Sequence, residues 1–289
     1  TAARSTYDFI LTDSHIKNIN FSNTAQNSVL IRTDKYGIEL RKNLEIDGID
    51  DSVYNPIPVA SKPSNVVLMA NETQTGTITV PTIVKNSAEI SLGYGTAAAG
   101  QNALIGLMAN NGGKLQNNTL GVINVNSKNS VGIAVMAKVN AGDTESAGIN
   151  LGKITVAGEG STGIYNAGEF TMNSGTIEIS GEKSAAVYGA ANNNNTNLNG
   201  GAIKVSGNGI GLLVGDNATI NMTGMSMEVN NGGLLAYTYK DALTTTSTGH
   251  INITGTVNAD INAGGTAFYL KDDLSQITNF INNVFTGTG

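Results

Sequence analysis

The chain has 289 residues, no Cys, 36 Gly, a formal net charge of −6 and 13% charged residues, about half the usual share. The lack of Cys excludes disulfide scaffolds, Cys–zinc sites and thiol nucleophiles, and the acidic balance argues against nucleic acid as a partner, because phosphate is met by a basic face. At 40% apolar the chain can bury a core; Gly, Asn, Thr and Ser replace the usual helix formers, which predicts many short strands joined by many turns rather than disorder.

From the N-terminus, apolar residues alternate at Phe9-Leu11, Ile19-Phe21, Val29-Ile31, Ile38-Leu40 and Leu44-Ile46, which predicts strands but no repeating unit. Asp47, Asp50 and Asp51 form an acidic cluster, read as a solvated loop because the spacing of a calcium loop is missing. Pro56, Pro58 and Pro63 predict a break near 55–64. Residues 1–60 are therefore read as an irregular β region, either irregular coils or a small subdomain, with regular coils resuming near Ile78 or Ile90.

A repeat then runs through the chain. Gly-Val-Ile-Asn-Val at 121–125, Gly-Lys-Ile-Thr-Val at 152–156, Gly-Thr-Ile-Glu-Ile at 175–179 and Gly-Ala-Ile-Lys-Val at 201–205 share one grammar. Met-Ser-Met-Glu-Val at 225–229 and Gly-His-Ile-Asn-Ile at 249–253 continue it. Ile123, Ile154, Ile177, Ile203, Met227 and Ile251 are thereby placed at equivalent positions, 31, 23, 26, 24 and 24 residues apart. A turn follows each run, then a second apolar run such as Gly163-Ile164-Tyr165 or Ala186-Val187-Tyr188, and in several units a third. Three short strands per unit are one coil of a solenoid, since a single coil cannot bury its own apolar face. The fold class is all-β: a right-handed, single-stranded parallel β-helix with three-strand coils of about 23–31 residues across 61–271, with loop insertions. Residues 272–289 are read as a short amphipathic helix and tail, because Leu274, Ile277, Ile281, Val284 and Phe285 recur at three- and four-residue spacing behind Asp272 and Asp273.

Insertions into the repeat supply the candidate contact residues. Asp143 and Glu145 lie in the first, Asn192, Asn193, Asn194 and Asn195 in the second, and Tyr237, Tyr239, Lys240 and Asp241 in the third. Exposed tyrosines suit carbohydrate or protein contact. The plainer readings are solvated turns for the asparagines and acids, and packing against a loop for the tyrosines.

Catalytic signatures are sparse. His15 and His250 are the two histidines, and no Gly-x-Ser-x-Gly elbow occurs. Arg occurs at 4, 32 and 41, outside the regular coils, which argues against a polysaccharide-cleaving β-helix. Gly207-Asn208-Gly209-Ile210-Gly211 opens no predicted helix and is read as a turn, not a phosphate loop. The chain is read as a non-enzyme with no cofactor and no metal. No run is long and apolar enough to span a bilayer, so membrane insertion by this chain is not expected. It opens at Thr1 and closes at Gly289 without terminal signals, which reads as a fragment.

Ser161-Thr162-Gly163-Ile164-Tyr165-Asn166-Ala167-Gly168 and Ser184-Ala185-Ala186-Val187-Tyr188-Gly189 resemble the repeats of large type V autotransporter adhesins, especially those of fusobacteria. The resemblance covers roughly 120–270. It implies an extracellular passenger, anchored in the outer membrane by a C-terminal β-barrel that lies outside this chain. It also implies adhesion, coaggregation and a part in virulence. The expected partner is a receptor protein or glycan on host or bacterial cells, met by a monomer. The alternatives are a non-binding stalk and, less favoured, a carbohydrate-active β-helix enzyme.

Overall fold

Each apolar–polar–apolar run forms a strand, and the strands come in threes. A computed structural model describes residues 9–11, 16–20, 29–47, 65–72, 81–93, 104–140, 142–193, 195–238, 249–270, 277–278 and 285–286. The first coil has Phe9–Leu11 (β1), Ile16–Asn20 (β2) and Val29–Thr33 (β3). The second has Gly37–Leu40 (β4), Leu44–Asp47 (β5) and Asn65–Asn71 (β6), and the third Ile83–Asn86 (β7), Glu89–Leu92 (β8) and Leu104–Asn110 (β9). Lys114–Asn117 (β10), Val122–Val125 (β11) and Val131–Val135 (β12) make the fourth, and Ala147–Asn150 (β13), Lys153–Val156 (β14) and Thr162–Asn166 (β15) the fifth. The sixth has Glu169–Met172 (β16), Thr176–Ile179 (β17) and Ala185–Gly189 (β18), and the seventh Thr196–Leu198 (β19), Ala202–Val205 (β20) and Ile210–Val214 (β21). In the eighth and ninth, the first two strands fuse: Thr219–Val229 (β22) precedes Leu234–Thr238 (β23), and His250–Ile261 (β24) precedes Thr266–Tyr269 (β25). Ile277–Thr278 (β26) and Phe285–Thr286 (β27) begin another.

Stacking is parallel throughout these strands. One column runs from β1 through β4, β7 and β10 to β26, and a second from β2 through β5, β8 and β11 to β27; β22 and β24 belong to both, so the two columns join as one 18-stranded sheet. The third column, from β3 to β25, is a separate nine-stranded sheet. The fold is a parallel β-helix of three faces. Ile123 faces Ile154, Ile154 faces Ile177, Ile177 faces Ile203 and Ile203 faces Met227. This register survives unequal coil lengths because extra residues leave through the connections; a one-residue slip would turn every inward side chain to solvent. Ile123, Ile154, Ile177 and Ile203 are fully buried, a state that stabilises by about 1.5–3 kcal/mol per side chain of this size.

Polar columns line the corners. Asn86, Asn117 and Asn150 close successive first-face strands and point inward, fully buried. Asn86 Nδ2 donates to Asn117 Oδ1 at 2.9 Å, and Asn117 Nδ2 donates to Asn150 Oδ1 at 2.8 Å. The amides satisfy one another coil by coil, which a buried polar group requires. Between the second and third faces, the Ser130 and Ser161 amides donate to the hydroxyls of Ser161 and Ser184 at 3.0 and 3.1 Å. Gly opens the repeat unit for a steric reason: a Cβ on Gly152 would lie 2.2 Å from the Gly121 carbonyl of the coil before.

Three expectations change. The region read as irregular, 1–60, carries strands of the same columns, with Ile38 opposite Val84, Ile46 opposite Leu92 and Ile31 opposite Leu68. Its long connections hid the repeat, since 46 residues separate Ile46 from Leu92 and 23 separate Ile154 from Ile177. The proline-rich stretch at 55–64 lies outside the described residues. The helix expected across 272–285 is replaced at its described residues by β26 and β27, with Ile277 opposite Ile251 and Phe285 opposite Ala259. Ile277 and Phe285 are eight residues apart, as are Ile251 and Ala259, so spacing that suits a helix also matches the two arms of β24, whose edge gains backbone partners. Finally, Ile251 faces Ile220 on the first face, and Met227 faces Ala259. The grammar was shared by strands of two faces.

Candidate functional site

Side-chain alternation gives each face an inner and an outer row. Outside, two faces are polar. The first presents Thr171, Asn197, Asn221 and Asn252 in register. Asn221 Nδ2 donates to Asn197 Oδ1 at 3.2 Å, and Asn252 Nδ2 to Asn221 Oδ1 at 3.0 Å. The second presents ion pairs, Lys153–Glu178 at 2.7 Å and Lys204–Glu228 at 3.6 Å, around a shallow depression of about 270 Å³. Exposed pairs of this kind contribute little stability.

The third face differs. A Cβ on Gly132 would meet the inward Val125 and Ile154 side chains at 3.3 and 3.4 Å, while the next residue, Ile133, also lies in the core. Two consecutive positions thus lie toward the core, which leaves two rows on the outside. One runs Val66, Ile105, Val131, Thr162, Ala185, Ile210 and Leu234. The other runs Met69, Met108, Ala134, Tyr165, Tyr188, Leu213, Tyr237 and Tyr269. Both rows are dominated by apolar and aromatic residues.

These rows are not uniform along the axis. In the second to fourth coils, Val66, Met69, Ile105, Val131 and Ala134 form an apolar cluster apart from the main core, each at most 8% exposed. Further on the rows open. Ile210, Leu213, Leu234 and Tyr237 are half-buried, and Tyr269 is 56% exposed. Here lies a hollow of about 450 Å³ lined by Lys183, Asn208, Gly209, Ile210, Gly232, Leu234, Tyr237 and Tyr269. The Tyr237 and Tyr269 rings meet edge to face with centroids 5.2 Å apart. Tyr165 and Tyr188 meet likewise at 5.5 Å, and burial pushes the Tyr165 phenol above its ordinary pKa, so it stays protonated.

The rim of the hollow is the corner between the second and third faces. Its backbone takes a left-handed turn at Asn129, Gly160, Lys183, Asn208, Gly232 and Gly264. Gly232 is required twice over: its φ is +79°, and a Cβ would fall 2.6 Å from Asn208 Oδ1. Lys183, at φ +56°, is the long side chain among these positions. Its Nζ lies 3.6 Å from Glu182 and 3.8 Å from Glu159. Glu159 is held below the usual carboxylate range chiefly by its hydrogen bond from Lys128, then by the charges of Lys128 and Lys183.

The candidates chosen from sequence scatter. Asn140 donates twice to Asp143 Oδ2, at 2.9 Å each, and Glu145 pairs with Lys138 at 2.9 Å. Asn192 Oδ1 accepts from Asn217 Nδ2 at 3.1 Å. Asn193 is buried; its Nδ2 donates to the Gly168 carbonyl at 2.8 Å, and its Oδ1 accepts from the Asn195 amide at 2.8 Å. Asn195 is exposed, with its carbonyl accepting from the Phe170 amide at 2.9 Å. Tyr237 lies in the hollow; Asn194, Tyr239, Lys240 and Asp241 lie outside the described residues. Gly207-Asn208-Gly209 forms a turn with positive φ at Gly207 and Asn208. Sequence reasoning missed Tyr188, Tyr269, Lys183 and Asn208 as neighbours of one surface. The available signal was the Tyr that follows the apolar residue in Gly-Ile-Tyr, Ala-Val-Tyr and Ala-Phe-Tyr.

No known protein family matches the chain, and neither a curated protein nor a solved structure matches it.

Proposed function

We propose that this chain is part of the extracellular passenger of an outer-membrane autotransporter adhesin, and that it attaches to other bacteria or host cells through the outer side of its third face. A Cys-free parallel solenoid suits a surface-projected passenger, because every added coil extends it by about 4.7–4.9 Å. The observation that carries the adhesive reading is asymmetry. Two faces are polar outside, whereas the third carries an apolar and tyrosine-rich strip that opens into a hollow. Exposed aromatic strips rimmed by polar groups mark contact surfaces. Among the described residues the hollow is lined without a carboxylate, which suits holding a ligand better than the paired-carboxylate hydrolysis of sugars.

The test is saturation binding of the labelled 289-residue chain to epithelial cells and to a panel of bacteria. Saturable binding supports the proposal. Background binding by a folded, β-rich protein removes it and leaves a spacer whose role is reach.

A further inference from the structure

We infer that the hollow between Tyr237, Tyr269, Leu234, Ile210, Asn208 and Lys183 is a subsite for an uncharged saccharide unit. The inference rests on the reading of the third face as a contact surface, and deepens it by naming the ligand class.

Size is the first argument. A volume of about 450 Å³ falls within the 300–1,000 Å³ range of small-molecule sites and accommodates one or two pyranose rings. Chemistry is the second. A pyranose ring has a C–H face and a hydroxyl edge. The site matches both, with two tyrosine rings and two aliphatic side chains beneath, and the Asn208 amide and backbone of Gly209 and Gly232 at the rim. Tyrosine gives this platform at a low entropic cost, because it orders few torsions.

Charge is the third. Among the described residues Lys183 is the ionic residue lining the hollow, and it has Glu182 and Glu159 beside it. The rim is balanced, so neither an anionic nor a cationic ligand is favoured. Lys183 also holds a left-handed backbone where the equivalent turns of other coils use Asn or Gly. A strained long side chain at the edge of a hollow points to a role in contact. An extended peptide fits less well. β23 is paired on both sides, by β21 and β25, so this part of the sheet offers no edge for strand addition.

The experiment uses the full 289-residue chain on an array of neutral, sialylated and sulfated oligosaccharides, with Tyr269→Ala, Tyr269→Phe and Asn221→Ala alongside. The expected result is binding to neutral oligosaccharides, weakened about tenfold or more by Tyr269→Ala, within about threefold of wild type for Tyr269→Phe, and unchanged by Asn221→Ala. Folded wild type that binds no saccharide, prefers charged ones, or is indifferent to Tyr269→Ala overturns the subsite. Treating target cells with glycosidases separates the two levels of the account. Attachment that survives this treatment, with no saccharide bound on the array, removes the saccharide subsite and keeps the adhesin reading. Failure of both array and cell binding removes both.

Discussion

The outer side of the third face is covered at one end and open at the other. Val66, Met69, Ile105, Val131 and Ala134 are covered, while Ile210, Leu234, Tyr237 and Tyr269 border an open hollow. Both ends belong to the same rows, in the same register, on strands of the same kind. An outward apolar residue on this solenoid is therefore not functional by virtue of its type. Where it is covered it acts as core, and where it is open it is available to a partner.

The largest expected contrast comes from placing a charge at each end. Val131→Asp buries an unpaired carboxylate and should destabilise the fold by about 4 kcal/mol or more, whereas Leu234→Asp, bordering the hollow, should cost about 1 kcal/mol. Urea unfolding of both variants checks this, and equal losses would erase the distinction. The polar columns sharpen the same point. Asn117→Ala removes the short hydrogen bonds to Asn86 and Asn150, leaving Asn86 only its 3.5 Å contact with the Val122 carbonyl, and should cost about 2–4 kcal/mol. Asn221→Ala breaks a similar chain on the outside of the same face and should cost about 0.5 kcal/mol.

Lys183→Gly relieves a left-handed lysine and should raise stability by about 0.5 kcal/mol, the strain relief less the entropy of glycine. The same variant should weaken ligand binding, which calorimetric melting and binding read separately. The smallest effect comes from Glu39, near the covered end. Its pKa is lowered first by the hydrogen bond from Arg41 and further by Ser87, against a raising effect of burial. A depressed folded pKa gives stability that is present above the usual value of 4.5 and lost as pH falls through the folded value. Glu39→Gln should therefore lower the melting temperature slightly at neutral pH and match wild type once pH falls below the folded pKa, so that the acid-side fall shrinks.

The regular coils were legible in the sequence because alternation fixes which side chains point inward, and Gly marks where one coil crosses the next without room for a Cβ. The early coils were not, because long connections separate Ile31 from Leu68 and Ile46 from Leu92. The end of the chain misled because eight-residue spacing fits both two helical turns and the fused strand β24. The site was half legible. Tyr237 was singled out from its alternation with Tyr239, but Tyr188 read as an ordinary member of an apolar run and Tyr269 was passed over, since the row is interrupted by Leu213. The asparagine-rich insertion attracted attention for its polarity, yet Asn193 directs its amide to the fold. Polar residues in a solenoid satisfy neighbouring coils first, so polarity alone is a poor guide to contact here.

The most direct measurement is the saturation binding curve of the labelled chain on cells, recorded side by side for wild type and Tyr269→Ala, with melting temperatures taken on the same samples. Saturable wild-type binding is expected, with a loss of about tenfold or more in affinity for the variant and matching melting temperatures. Superimposable binding curves from two equally folded proteins would contradict it.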